Sequence, residues 1–296
     1  METADRRKGR LRAYVQLMRP PNVVTAGADV LAGYAASGRP VDPALLCLFL
    51  ATTCLYAGGV VLNDVFDAPL DAVERPERPL PSGRASVRGA AALGAVLLTA
   101  GIGAAFLISL TSGVLAALIA ACAVLYDAWG KHRPVFGPIN MGTCRGLNLL
   151  LGVSAVPALV AERWYLALIP VAYIAAITAI SRGEVHGGTR RTGLLALILL
   201  GLVLIALPLL ALTPGFLLLP LAPFLAFFAW RVVPPFWRAY REPSPDRLRT
   251  AVKAGVLSLI VLDAALAAGY AGPLYGIVVL SLLLVAGALA RRFMVT

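Results

Sequence analysis

Apolar blocks of about 18 to 22 residues recur along the whole chain, and they leave few folds open to it. A helix rises 1.5 Å per residue, so each block is long enough to cross the hydrocarbon core of a bilayer. Because 59% of the 296 residues are apolar and only 14% are charged, a soluble protein of this size could not bury so many long runs. The sequence therefore predicts an all-α polytopic membrane protein, a bundle of nine or ten transmembrane helices.

The apolar pattern predicts ten spans. They cover residues 21–38, 43–63, 88–109, 112–127, 139–160, 165–181, 193–212, 215–232, 251–270 and 273–290. This division places every lysine and arginine except Arg39 and Arg163 on one side, as expected of cytoplasmic loops. We therefore expect both termini in the cytoplasm and the chain in a plasma membrane of the bacterial inner type. In this interpretation residues 1–296 form one domain that begins with a basic cytoplasmic segment, 1–19.

The net charge of +11 follows from this orientation and from contact with anionic membrane lipids, so no nucleic-acid partner is expected. Three cytoplasmic loops, 63–87, 127–138 and 182–192, carry most of the polar side chains, whereas the loops on the other face are short. The first and third of these loops stand four spans apart. Two pseudo-repeated four-helix units would produce this spacing, although no residue-level repeat accompanies it.

The first of these loops holds the densest group of charges next to the membrane. Between Asn63 and Gly83 lie five carboxylates and two arginines. Asp64 and Asp67 share a helix face, but Pro69 is expected to break the helix so that Asp71 lies on the loop and folds back. Such a carboxylate group suits Mg²⁺, which takes hard oxygen ligands together with substrate phosphate oxygens. The alternative from the residues alone is a solvated acidic helix cap.

Motifs in and around this loop resemble a known family. The stretch 63–71, followed by 78–83, is similar to the first signature of the UbiA superfamily of intramembrane prenyltransferases. Residues 18–22 at the start of the first span, and Tyr126 with Lys131 after the fourth, resemble two further elements of it. Within the superfamily the chain resembles the EboC-like branch, through stretches that include 59–67, 75–79, 126–132, 140–146 and 181–188.

The resemblance implies Mg²⁺-dependent transfer of a polyprenyl group from a polyprenyl diphosphate to a small-molecule acceptor at the cytoplasmic side. The metal ligands it implies are Asp64 and Asp67, with Asp71 as a third. A diphosphate would be contacted by basic residues of the neighbouring loops, Lys131, Arg78 and Arg145, while Asn63 supports the metal site and Tyr126 faces the carbocation or orients the diphosphate. For each basic residue taken singly, a cytoplasmic membrane anchor is the alternative.

The chain departs from the family pattern after the sixth span. Where a second aspartate motif is expected, residues 181–188 contain one carboxylate, Glu184. Arg182 would then neutralise the diphosphate in place of a second metal, with Asp127 adding a carboxylate. Alternatively, Glu184 and His186 recognise or deprotonate the acceptor, since histidine titrates near neutral pH. A solvated loop histidine remains the third interpretation.

Polar residues also occur inside the apolar spans. An aspartate at the bilayer centre costs about 2.5–3.5 kcal/mol, so Asp29 and Asp263 are expected to face the bundle interior. An acceptor pocket could be lined by Asn22, Asp29, Arg145 and Asn148. Interhelical hydrogen bonds explain the same residues equally well, and for Asp263 they are the preferred interpretation.

The sequence is also compatible with two other functional classes. A membrane transporter would use the intramembrane charges as a pathway, and a lipid-binding scaffold would hold a lipid diphosphate without turnover. The intact carboxylates at 64 and 67 argue against simple decay of a catalytic site, and no interrupted short spans point to a transporter.

Overall fold

The computed structural model describes residues 2–184 and 187–293, and within them the chain is a bundle of helices. The α-helices are α1 (Glu2–Leu17), α2 (Pro20–Ser37), α3 (Pro43–Glu74), α4 (Val87–Phe106), α5 (Leu110–Ala128), α6 (Phe136–Val153), α7 (Ala158–Glu162), α8 (Leu168–Ser181), α9 (Arg190–Leu209), α10 (Leu218–Arg241), α11 (Pro245–Ala271) and α12 (Pro273–Ala290). Short 3₁₀ segments lie at Gly130–His132, Trp164–Ala167 and Leu210–Leu212. The predicted all-α membrane architecture is thereby confirmed.

Eight helices of the described part are long and apolar enough to cross a membrane, and each corresponds to a predicted span. The two remaining predicted spans, 21–38 and 139–160, coincide with α2 and α6. These two helices are less apolar because they carry Asp29 and Arg145, and both side chains are buried inside the bundle. Hydropathy alone therefore misses these two buried helices, although it finds α11, which is also surrounded by other helices.

The centre of the bundle is formed by α2, α6 and α11. Helix α11 packs against α2, α8, α10 and α12, while α6 packs against α2, α5 and α8. The crossing of α2 and α6 is very close, because a Cβ atom at Gly33 would lie 1.9 Å from the carbonyl oxygen of Leu149. A Cβ at Gly152 would lie 2.3 Å from the carbonyl oxygen of Val30. Glycine at both positions is thus required for this contact.

The outer surface of the bundle is apolar, as a lipid-facing surface must be. Large side chains such as Leu219 and Leu284 expose 86% and 78% of their area. A soluble monomer rarely exposes so many apolar side chains. The structure therefore supports an integral membrane protein.

Helix α3 is longer than the membrane requires. Its 32 residues span about 48 Å, against about 30 Å for a hydrocarbon core. The predicted span ended at residue 63, but the helix continues to Glu74 through Pro69. Because successive long helices alternate in direction, the end of α3 lies beside the starts of α2, α4 and α6 and the ends of α5 and α8. That end of the bundle carries the polar loops.

Candidate functional site

The last turns of α3 carry three aspartates, and all three remain helical. The expectation that Pro69 breaks the helix and leaves Asp71 on the loop is wrong, since a proline removes one hydrogen bond and the helix persists around it. Residues seven apart are nearly in line on a helix, so Asp71 lies on the same face as Asp64. Asp64 and Asp71 are buried, and Asp67 is partly exposed on a neighbouring face.

Two arginines form ion pairs with the buried aspartates of α3. A guanidinium nitrogen of Arg19 lies 2.6 Å from Asp64 Oδ1. Arg78, on the loop after α3, donates to Asp71 Oδ2 at 2.7 Å and approaches Asp64 Oδ1 to 3.7 Å. The Arg78 side chain exposes only 8% of its area, so the predicted phosphate-binding residue is here the internal partner of two carboxylates.

Arg19 has an unusual backbone. It precedes α2 in the left-handed conformation, with φ 46° and ψ 66°, and no other non-glycine residue of the described part has a positive φ. This conformation costs a side-chain-bearing residue about 1–2 kcal/mol. The next two residues are prolines, which fix the start of the helix. The strained turn directs the Arg19 side chain to Asp64.

A second set of contacts joins α3 to the segment after α5. Lys131 Nζ lies 2.5 Å from Asp67 Oδ1. Asn63 Nδ2 donates to Asp127 Oδ1 at 2.8 Å. Tyr126 is partly buried within electrostatic range of Asp67 and Asp127. The structure therefore brings together the predicted residues of loops 63–87 and 127–138, including Asp127.

The unusual third loop lies beside this group. Arg182 donates to the carbonyl oxygen of Arg133 at 2.5 Å. Arg249 donates to the backbone carbonyl of Glu184 at 3.2 Å. Burial raises the pKa of the Glu184 carboxyl, whereas the charges of Arg249 and Arg75 act in the opposite direction. The predicted residue His186, with Val185, lies outside the described residues, so its proposed role stays a prediction.

Three of the predicted acceptor-pocket residues, Asp29, Arg145 and Asn148, form a separate buried network in the bundle interior. Arg145 Nε lies 3.0 Å from Asp29 Oδ2, and Arg145 also donates to the Thr25 carbonyl at 3.0 Å. Asn148 Nδ2 donates to Asp29 Oδ2 at 2.8 Å. The expectation that Arg145 meets the diphosphate does not fit this arrangement, because its charge is already paired below the surface. Asn22 lies at the edge of the network, where its carbonyl accepts from Thr25 Oγ1.

A small open cavity of about 60 Å³ lies over Asp64. It is lined by Gln16, Arg19, Asp64, Glu77, Arg78, Pro79 and Arg84. Arg84 donates to three uncharged oxygens, including Gln16 Oε1 at 3.1 Å and the Glu77 carbonyl at 2.6 Å. Sequence reasoning assigned no role to Gln16, Arg19 or Arg84. The position of Arg19 within the recognised stretch 18–22 was a signal that could have found it.

The aspartates at the end of α3 carry the oxygen donors that Mg²⁺ prefers. This ion is commonly held by one or two carboxylates plus phosphate oxygens and waters, and Asp64 and Asp67 supply that donor type. In the structure each is paired with a cation, Arg19 and Lys131 respectively. Among the described residues, no group of three or more His, Cys, Asp or Glu side chains could hold a metal ion. The residues thus fit an ion that arrives with an anionic substrate rather than a protein-only cage.

Comparison with known proteins gives one family and consistent structural neighbours. The model of the UbiA prenyltransferase family matches residues 28–254. Proteins named digeranylgeranylglyceryl phosphate synthase are similar over part of the chain. The protein from Methanoculleus marisnigri is 34% identical over 47% of this chain and 50% of its own length. The one from Methanothrix thermoacetophila is 38% identical over 49% and 55%. The chain spans about half the length of these curated relatives.

Solved structures share the fold. A UbiA homologue from Aeropyrum pernix K1 aligns with a TM-score of 0.70 at 17% identity, over 82% of this chain and 96% of its own. A UbiA homologue from Archaeoglobus fulgidus bound to GPP and Mg²⁺ aligns with a TM-score of 0.66 at 15% identity, over 91% and 99%. At such identities the likeness establishes the fold alone. Assignment to the EboC-like branch stays a prediction.

Proposed function

Because the chain belongs to the UbiA prenyltransferase family, we propose that it transfers a polyprenyl group from a polyprenyl diphosphate to a small acceptor, with Mg²⁺, at the cytoplasmic face. One observation carries the proposal. Asp64 and Asp67 stand at the membrane-surface end of α3, each bound to a basic side chain from another segment. In a purely solvated acidic helix end, the aspartates would contact water instead of basic side chains from two separate segments.

The paired charges suit a magnesium diphosphate. Such a ligand brings Mg²⁺ for the aspartates and a diphosphate for Arg19 and Lys131. Each aspartate then exchanges a basic side chain for the metal ion, and each basic side chain exchanges an aspartate for a phosphate oxygen. When bound, Mg²⁺ supplies Lewis-acid stabilisation of the departing diphosphate. Arg19 and Lys131 then hold phosphate oxygens, and Tyr126 orients the diphosphate or faces the allylic carbon from its position near Asp67.

Exclusion of water is the other requirement of this chemistry. Breaking the allylic C–O bond leaves a carbocation that water would capture. The site lies at the end of an apolar bundle whose outer surface faces lipid, so the polyprenyl tail stays in the membrane while its head reaches α3. The acceptor then forms the new bond to the allylic carbon and releases its proton.

For the acceptor, a glyceryl phosphate is the first candidate. The curated relatives are named for a synthase of a glyceryl phosphate product. The Arg84 guanidinium supports the idea, because it lines the cavity over Asp64 and its hydrogen bonds go to uncharged oxygens. An acceptor phosphate would supply the anion that those contacts lack.

Turnover in a lipid bilayer tests the proposal. Purified protein in nanodiscs would be incubated with Mg²⁺, polyprenyl diphosphates of several lengths and a glyceryl phosphate acceptor, and diphosphate release would be followed with product mass. Asp64→Asn and Asp67→Asn should each lose nearly all turnover. Asp42→Asn, at the opposite end of α3, should retain it. Absence of Mg²⁺-dependent turnover with every donor, or equal turnover in all three variants, would refute the assignment.

The same experiment separates the non-catalytic alternative. A lipid-binding scaffold would bind a polyprenyl diphosphate in the presence of Mg²⁺ but release no diphosphate. Binding should therefore be measured alongside turnover, for example by displacement of a fluorescent prenyl diphosphate. Saturable binding without release would favour the scaffold.

A further inference from the structure

A group of ionisable side chains is buried where α2, α6 and α11 meet, away from the surface site. Asp29 on α2 is fully buried, Asp263 on α11 exposes 1% of its area, and Arg145 on α6 exposes 4%. The helices that carry Asp29 and Asp263, α2 and α11, pack against each other, and the two carboxyl groups lie within electrostatic range. The proposed transfer reaction makes no use of this pair.

The charges of this group do not balance. Arg145 and Asn148 both bind Asp29 through its Oδ2 atom, at 3.0 and 2.8 Å. If both carboxyls are ionised, Asp29 Oδ1 and Asp263 Oδ2 have no hydrogen-bond donor. Two carboxylates and one guanidinium would then leave an uncompensated negative charge in the bundle interior, which is very unfavourable away from water.

No other group near Asp263 supplies the missing positive charge. Among the described residues, the ion pairs do not include Asp263. Tyr173 on α8 lies within electrostatic range of Asp263, and its hydroxyl donates to the Gly255 carbonyl at 2.8 Å. Arg231 on α10 gives its Nε hydrogen to Ser258 Oγ at 3.1 Å. On α3, Thr52 bonds Asn148 and Tyr56 lies under Arg145, and neither brings a cation.

We propose that Asp29 and Asp263 form a proton-binding site, in which Asp263 is a carboxylic acid that donates its hydrogen to the Asp29 carboxylate. A proton supplies the missing unit charge and the missing donor at once. Each carboxyl group has one buried oxygen without a hydrogen-bond partner, as a shared proton requires. With this proton, Arg145 and Asp29 form a neutral pair and Asp263 is uncharged.

The site has a structural consequence. The hydrogen joins α11 to α2, and the Arg145–Asp29 ion pair joins α2 to α6. The packing of α2 against α11 therefore depends on that hydrogen being present. The Arg145 guanidinium also lies over the Tyr56 ring of α3, 5.8 Å from its centre. Loss of the proton would place two like charges close together at the centre of the bundle.

Infrared difference spectroscopy on the full chain in nanodiscs tests the proposal directly. At neutral pH the wild-type protein should show the C=O stretch of a protonated carboxylic acid, with a downshift in deuterium oxide. Asp263→Asn should remove the band, and Asp29→Asn should remove it too, because Asp263 then ionises beside Arg145. Asp42→Asn, which changes an ion-paired carboxylate at the bundle end, should leave the band intact.

Thermal unfolding gives a second, independent measurement. The side-chain amide introduced by Asp263→Asn would still donate to Asp29, so this variant should unfold near the wild-type temperature. Asp29→Asn should unfold roughly 5 °C lower or more, because it removes the 3.0 Å ion pair with Arg145 and an ionised Asp263 compensates that loss only in part. A band that survives in Asp263→Asn, or a loss of stability in Asp263→Asn as large as in Asp29→Asn, would overturn the proposal. So would a wild-type unfolding temperature that rises with NaCl but not with choline chloride, because a sodium ion would then be the occupant.

Discussion

At the level of single residues, the candidate site is a set of charge pairs made between segments far apart in sequence. Arg19 reaches Asp64 and Lys131 reaches Asp67, from the start of α2 and the end of α5. The sequence identified both aspartates and Lys131, because they lie in recognisable motifs. It could not identify the pairing of Arg19, since that depends on a left-handed turn that residue types alone do not reveal.

Substitution of Arg19 separates its charge from its backbone strain. Arg19→Ala and Arg19→Gly should both weaken binding of a diphosphate analogue by about tenfold or more, since a hydrogen bond to a charged group contributes about 1.5–3 kcal/mol. The glycine variant should be more stable than the alanine variant by about 1 kcal/mol, because φ is 46°. Calorimetric titration and unfolding would measure these effects. Equal stability of the two variants would contradict the strained turn.

Arg78 is expected to matter for stability as well as binding. Arg78→Met leaves Asp71 and Asp64 with one cation fewer in a buried place, and should lower the free energy of unfolding by about 3–5 kcal/mol. The double variant with Asp71→Asn should recover much of this loss. Arg75→Met, on the exposed part of the same loop, is the matched control. The free energies of unfolding of the wild type and these three variants, measured in one detergent, would test this prediction.

At the level of helices, the sequence predicted where the spans lie better than where they end. Long apolar runs mark the spans clearly, and all ten predicted spans correspond to helices. The ends depend on polar residues outside the membrane, where hydropathy carries no information. Thus α3 continues eleven residues past the predicted limit of 63, and α10 continues from 232 to Arg241. The one local signal for a helix end, Pro69, was misleading, because α3 continues through it to Glu74.

The crossing of α2 and α6 provides a test at this scale. Gly33→Ala should destabilise the protein by about 1–3 kcal/mol or more, because the new methyl group would meet the Leu149 carbonyl rather than a flexible side chain. Gly103→Ala in α4, where a Cβ would have no neighbour within 4 Å, should be neutral or slightly stabilising. Unfolding temperatures of the two variants compare these outcomes. A neutral Gly33→Ala would mean that the helices separate easily.

At the level of the whole molecule, the separation of basic residues agrees with the arrangement of the helices. Arg39 lies with Asp42 at the far end of α2 and α3, whereas Arg19, Arg78 and Lys131 lie at the site end. The charge rule predicts that the site end is cytoplasmic.

Cysteine labelling would establish the orientation. In a background where Cys47, Cys54, Cys122 and Cys144 are serine, Ser82→Cys at the site end should react with a membrane-impermeant maleimide only after the cells are opened. Val41→Cys, at the other end and 69% exposed, should react in intact cells. The reverse pattern would place the site on the outer face and would contradict the predicted cytoplasmic termini.

The length of α3 has a kinetic consequence. Asp64 is the twenty-second residue of this helix, so it stands about 32 Å from the helix start, near the level where hydrocarbon gives way to headgroups. In the proposed reaction, a prenyl chain embedded in the leaflet would therefore reach the aspartates by lateral diffusion in two dimensions. The quantity that governs its encounter rate is its mole fraction in the bilayer rather than its bulk concentration. Adding inert lipid at constant total donor should slow turnover by surface dilution.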